Sequence, residues 1–276
     1  MSNDTAKAIL KGLAVAGLVG ALFFPTLRWL VISWLNDTYY SHGFLIPLIA
    51  GFFVWRRRAV FQRFTPHSGG MIVLALGLTV HLTTIPRRLY PVSALTLVIV
   101  LAGLVLYFYG LEAIRRLIFP LAFLLAMIPV PFIDRCSPFL AAFSARHATL
   151  AANTLGIPAT HLGSQVQLAQ TSFTIGEPCS GLRSIVALLT LTIVFVYVMQ
   201  GSLAARSVLL IAALPIAIVS NIVRLILLLI VADLLGQEAG WHYFHNVSSP
   251  VLFLIAFALL ILTARSLRCF EIRSDI

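Results

Sequence analysis

Three reactive side chains stand out against an otherwise apolar chain. Cys179 lies in "GEPCSGLRS" (176–184), directly before the apolar run "IVALLTLTIVFVYVM". Arg224 lies inside a second apolar run, in "SNIVRLILLL", and His245 ends the polar stretch "QEAGWHYFH" before a third. A thiol at a helix start meets backbone N–H groups that favour the nucleophilic thiolate. A histidine moves protons near neutral pH, and a guanidinium stabilises a developing oxyanion. Together they outline a nucleophilic site in which Cys179 attacks a carbonyl, His245 handles the proton and Arg224 holds the oxyanion.

Each residue also has a plainer reading. Cys179 could be a small buried hydrophobe or the disulfide partner of Cys136. A charge deep in a span costs about 2.5–3.5 kcal/mol, so Arg224 needs a polar cavity or an ion pair with Glu177 or Asp233. Asn221, three residues earlier, shares its helix face. Arg183, four residues after Cys179, could share a face with the thiol or pair with Glu177. Ser180 and Gly181 keep the turn after the cysteine small. His242 competes with His245 for the histidine role. The chain has no HExxH and no cysteine–histidine ligand spacing, so neither a metal nor a cofactor is expected.

The elements that must position these residues are membrane helices. Of 276 residues 60% are hydrophobic and 10% charged, and the mean hydropathy is +1.01; a soluble domain carries about 25% charged residues. The apolar runs are continuous rather than alternating, which selects helices over a barrel. The expected fold is an all-α polytopic membrane protein with about eight transmembrane helices, near 8–33, 41–55, 70–86, 92–111, 117–132, 181–200, 207–232 and 248–264. The first run continues to about Leu35 without a small-residue cleavage site, so it reads as an anchor. Residues 1–276 form one integral-membrane domain, and 266–276 form a short cytoplasmic tail.

A net charge of +10 does not indicate nucleic acid, because the basic residues sit in short clusters between apolar runs, as topology signals do. With a cytoplasmic N-terminus, twelve lysines and arginines fall inside and four outside. Both termini are therefore expected in the cytoplasm. Segment 133–178 then forms a small extracytoplasmic cap between spans five and six. Its first part has apolar residues at helical spacing and reads as an amphipathic helix along the interface. Its second, "SQVQLAQTSFTIG", alternates like a strand pair. Cys179, Arg224 and His245 all fall toward the outer face.

At these residues the chain resembles the exosortase/archaeosortase family of membrane transpeptidases. The matching motifs are "CSGLRS" (Cys179 to Ser184), "NIVR" (Asn221 to Arg224) and "FH" (Phe244, His245). "YYSHGFLIP" (Tyr39 to Pro47) and "MIPVP" (Met127 to Pro131) resemble the family's early motifs, so the likeness runs from about residue 28 to 265. It implies a cysteine protease or transpeptidase with Cys179, Arg224 and His245 as its catalytic residues. Its substrates would be membrane-anchored proteins with a C-terminal sorting signal: a PEP-like motif, one apolar span and a basic tail. Its place would be the bacterial inner membrane, with the bilayer as partner and no nucleic acid. Two departures are "EP" before the cysteine, where a small apolar residue is common, and "NVSSP" after the histidine, where glycine is common. The competing class is a non-enzymatic transporter or surface-polymer assembly factor with Arg224 as an anion or structural site. Few polar residues line the last three spans, chiefly Thr190, Thr192 and Asn221, which disfavours a transport path.

Overall fold

The computed structural model describes residues 3–62, 65–130, 132–169, 171–175, 180–236 and 245–273. It divides into two compact units, Met1–Val130 and Pro131–Ile276.

In the first unit, α1 (Asn3–Leu22) and α2 (Phe24–Asn36) meet at a 70° bend at Phe23. Pro25, in the first turn of α2, lacks an N–H and its ring crowds the preceding turn, so the helix cannot run through. The bend frees the Leu22 carbonyl, which accepts a hydrogen bond from His81 Nε2 at 3.2 Å. In that tautomer Nδ1 accepts from the Ser93 hydroxyl (2.9 Å), whose oxygen accepts in turn from Thr26 (2.6 Å). Phe23 packs on the imidazole at 3.8 Å. His81 belongs to α4 (Gly69–Thr84) and Ser93 to α5 (Tyr90–Phe123), so this buried node ties four helices together. His81→Leu is expected to lower the thermal midpoint in detergent by the equivalent of about 1–3 kcal/mol, because it leaves a buried carbonyl unsatisfied. An unchanged midpoint would show that the node is dispensable.

Between α2 and α4, a 3-10 turn (Ser41–Phe44) leads into α3 (Leu45–Arg56). The Trp34 indole donates to the Met127 carbonyl (2.8 Å), and the Val130 N–H donates to the Tyr40 hydroxyl (2.9 Å). The two early motifs, about 90 residues apart, therefore meet. α5 is broken at Gly110, where φ is 78° and ψ is −172°. A side chain there would be strained and would overlap the Thr65 carbonyl. Carbonyls released by the break are taken up by the loop before α4: Thr65 Oγ1 donates to Tyr109 and the His67 N–H to Tyr107.

In the second unit, α6 (Phe132–Thr154) is followed by an antiparallel sheet in the order β1 (Ala159–Leu162), β2 (Gln165–Leu168), β3 (Ser172–Thr174). The expected strand pair is thus three strands, the extra one coming from "ATHL". The Asn153 side chain locks the helix end to β1, donating to the Ala159 carbonyl and accepting its N–H, both at 2.9 Å. An alanine stripe on α6 (Ala141, Ala145, Ala148, Ala152) and inward residues of the sheet, Val166 and Phe173 among them, share one buried cluster with Leu225, Leu228, Leu229 and Ala232. The last four lie on α8 (Leu203–Leu235). Small residues at this spacing let two helix backbones approach closely. The segment expected as an amphipathic helix is thus helical, with its small-residue face packed on α8.

α7 (Leu182–Val198), the N-terminal half of α8, and α9 (His245–Ser266) form a second cluster around Leu188, Leu209, Ala213, Ala217, Ala256 and Leu260. The chain after α9 is docked as far as Arg273. Gln200 N–H donates to the Glu271 carbonyl and Arg273 N–H to that of Val198, forming an antiparallel bridge between Met199 and Ile272.

The first expected span, 8–33, is divided by the bend between α1 and α2, and the fifth, 117–132, extends past the end of α5 at Phe123; the other apolar segments fall on α3 with its preceding turn, α4, the first arm of α5, α7, α8 and α9. Among the described residues, Tyr90–Met127 and Leu203–Leu235 are long and apolar enough to cross a membrane, and the α1–α2 pair qualifies if its bent arms count as one span. Ser41–Arg56, Gly69–Thr84, Leu182–Val198 and Pro250–Ser266 are shorter apolar helices.

Candidate active site

The site is built where the start of α7 meets the middle of α8. Gly181 caps α7 in the left-handed conformation, with φ 85° and ψ −8°. Its Cα faces the Asn221 side chain so closely that an added Cβ would lie 2.6 Å from Cγ and Nδ2. Asn221 in turn donates from Nδ2 to Ser144 Oγ on α6, at 3.1 Å. Ser180 is 1% exposed, and its hydroxyl accepts the first N–H of α7, that of Leu182, at 3.4 Å. The glycine of one motif and the asparagine of the other, 40 residues apart, are therefore in direct contact.

Arg224 follows Asn221 by one helical turn and is 7% exposed. It sits at a seam on α8. Ala217 and residues before it belong to the cluster with α7 and α9, whereas Leu225 and residues after it belong to the cluster with α6 and the sheet. Ser220, Asn221 and Arg224 form the polar band between the two. Asp233, one of the two suggested partners of Arg224, is exposed and makes no ion pair among the described residues. The other, Glu177, lies outside the described residues, as do Cys179 and His242. Arg183 projects outward from the first turn of α7 and is exposed.

His245 opens α9; its backbone alone is described. Ser220 Oγ donates to the Leu252 carbonyl at 3.1 Å, which sets the register of two antiparallel helices. From Leu252 back to His245 is roughly 10 Å of helix, and from Ser220 on to Arg224 roughly 6 Å. The start of α9 therefore lies about one turn beyond the level of Arg224. Buried Ser248 lies near that level.

Ser144 was not singled out from the sequence. Its signal was there: Ser137 and Ser144 occur seven residues apart, on the alanine-lined face of α6, and both are buried. A polar side chain on the packed stripe of a helix has to meet a partner. Among the described residues no cluster of His, Cys, Asp and Glu could hold a metal ion.

Long apolar helices, two of them able to cross a bilayer by length and composition, define a helical membrane protein. The family model for transmembrane exosortases matches residues 34–262, and the chain belongs to that family. That stretch contains every motif described above, from Tyr39 to His245. No curated protein and no solved structure matched the chain.

Proposed function

We propose that this exosortase-family protein is a cysteine protease or transpeptidase acting on membrane-anchored proteins with a C-terminal sorting signal. The observation that carries the reading is the Gly181–Asn221 contact, which holds the chain two residues after Cys179 against the helix that bears Arg224. The thiolate of Cys179, two residues before the cap of α7, attacks the scissile carbonyl carbon. Arg224 stabilises the tetrahedral oxyanion. Collapse breaks the C–N bond, and His245 protonates the departing amine of the apolar tail. The product is a thioester on Cys179. An amine or water then attacks it, with His245 taking the proton and Cys179 leaving as thiolate.

In this reading the eight apolar segments span the bacterial inner membrane with both termini in the cytoplasm. The sheet and α6 cap the outer face, and the cleavage site meets Cys179 where the substrate's tail enters the bilayer. Glu177 and Pro178, beside the nucleophile, are the residues best placed to select the motif.

Membranes mixed with such a substrate are expected to yield a covalent enzyme–substrate adduct that hydroxylamine releases, as it does thioesters. A membrane-impermeant thiol reagent should label Cys179 from the outer side and block the adduct. Processing without any adduct, or an adduct that survives Cys179→Ala, would overturn the acyl-enzyme.

A further inference from the structure

The first unit carries a second site, independent of the proposed catalysis. α3 and the second arm of α5 are antiparallel neighbours: Phe53 packs edge-on against Phe119 at 5.5 Å, and Arg57 Nη1 donates to the Arg116 carbonyl. This pairing brings Arg56, Arg57 and Arg58 to the same end as Arg115 and Arg116. The break at Gly110 makes that possible. Unbroken, the 38-residue element would be roughly 57 Å long, nearly twice the hydrocarbon core.

Among the described residues the ion pair at this end is that of Glu112 with Arg116. Glu112 is the one carboxylate between residues 38 and 133, and it bonds Arg116 at 2.8 Å. Within that stretch of sequence the five arginines of the two helix ends are thus accompanied by one carboxylate. Arg56, Arg58, Arg115 and Arg116 are exposed. Trp55, also exposed, lies under the Arg58 guanidinium at 4.9 Å; tryptophan of this kind marks headgroup level. On the bilayer side of the ring, Leu48, Phe52 and Ile118 are exposed and offer an apolar surface to acyl chains.

We infer that this ring is a binding site for the headgroup of an anionic phospholipid. Guanidinium forks suit phosphate oxygens. Basic clusters at the ends of membrane helices attract anionic lipid by about 1 kcal/mol per residue near the surface. The apolar belt below the arginines distinguishes a lipid from free phosphate.

The test uses the full chain in detergent, with phosphatidylglycerol, phosphatidylcholine or inorganic phosphate added at matched concentration. Native mass spectrometry counts retained lipid, and a thermal shift reports stabilisation. The wild type should retain and be stabilised by phosphatidylglycerol over phosphatidylcholine. The triple variant R56Q/R58Q/R115Q leaves the Arg57 bridge and the Glu112–Arg116 pair intact. It should lose phosphatidylglycerol affinity on the order of a hundredfold at low salt, and less as salt rises. R58Q and R115Q singly should each lose part of it, which keeps the test decisive if the triple variant does not fold. Equal retention of both lipids, unchanged binding in the variants, or equal stabilisation by inorganic phosphate would each overturn the inference.

Discussion

In membranes carrying Cys179→Ala, full-length substrate is expected to accumulate unprocessed, and in Arg224→Gln its processing should slow by about 10²–10³-fold. The second figure is the loss measured when one oxyanion donor is removed from a preorganised site. The two substitutions differ in what they remove. Without the thiol there is no acyl-enzyme, so no slow route through it remains. Without the guanidinium the nucleophile still attacks, but the negative charge develops beside a neutral amide. Arg224→Gln also alters the contacts of a buried residue, so a loss of processing has to be told apart from a loss of stability. An unchanged thermal midpoint beside an immunoblot time course of substrate processing separates the two effects. Normal function in Cys179→Ala together with loss in Arg224→Gln would instead support an anion-handling or transport role. Near-normal processing in Arg224→Gln would return that residue to a structural role.

Gly181→Ala should be nearly as damaging, by a different route. The left-handed conformation costs an alanine about 1–2 kcal/mol. The new methyl would also overlap the Asn221 amide at 2.6 Å, an overpacking that costs about 1–3 kcal/mol more. The expected result is a lower thermal midpoint together with little processing, since the start of α7 must lift away from α8. Asn221→Ala should rescue this poorly, because its own Cβ still lies 2.9 Å from the added methyl. Asn221→Gly removes the overlap and should restore part of the stability, less about 1 kcal/mol for glycine inside a helix. A Gly181→Ala protein with wild-type midpoint and activity would show that the close approach is not required.

Much of this arrangement was legible in the chain. Hydropathy marked each apolar helix, and the spacing of Asn221 and Arg224 put both on one face of α8. What remained hidden was which side of each helix is packed. In a soluble protein an amphipathic period answers that question. Here α3 and α4 are apolar on nearly every side, and lipid accepts such residues as readily as a neighbouring helix does. The partner of His81 could not be read for this reason, since its contacts come from Leu22 and Ser93 on other helices. The bend at Phe23 was similarly obscured: Pro25 signals a helix start, but the run stays apolar through it. The third strand was missed because "ATHL" is too short to show alternation. Ser144 was obscured by reading the polar residues of α6 as interruptions, when two of them lie on its packed face.

The seam on α8 bears on how the family can diversify. The cluster shared with α7 and α9 and the cluster shared with α6 and the sheet have no residue in common. Substitutions in separate, non-touching groups combine nearly additively, whereas residues in direct contact couple. The sheet strands, whose buried residues all fall in the cluster shared with α6, are thus freer to drift toward new recognition motifs than α6, whose Leu140 also packs against the helical bundle. Ser220, Asn221 and Arg224 adjoin both sides, so changes there must be accommodated by two histories of packing at once.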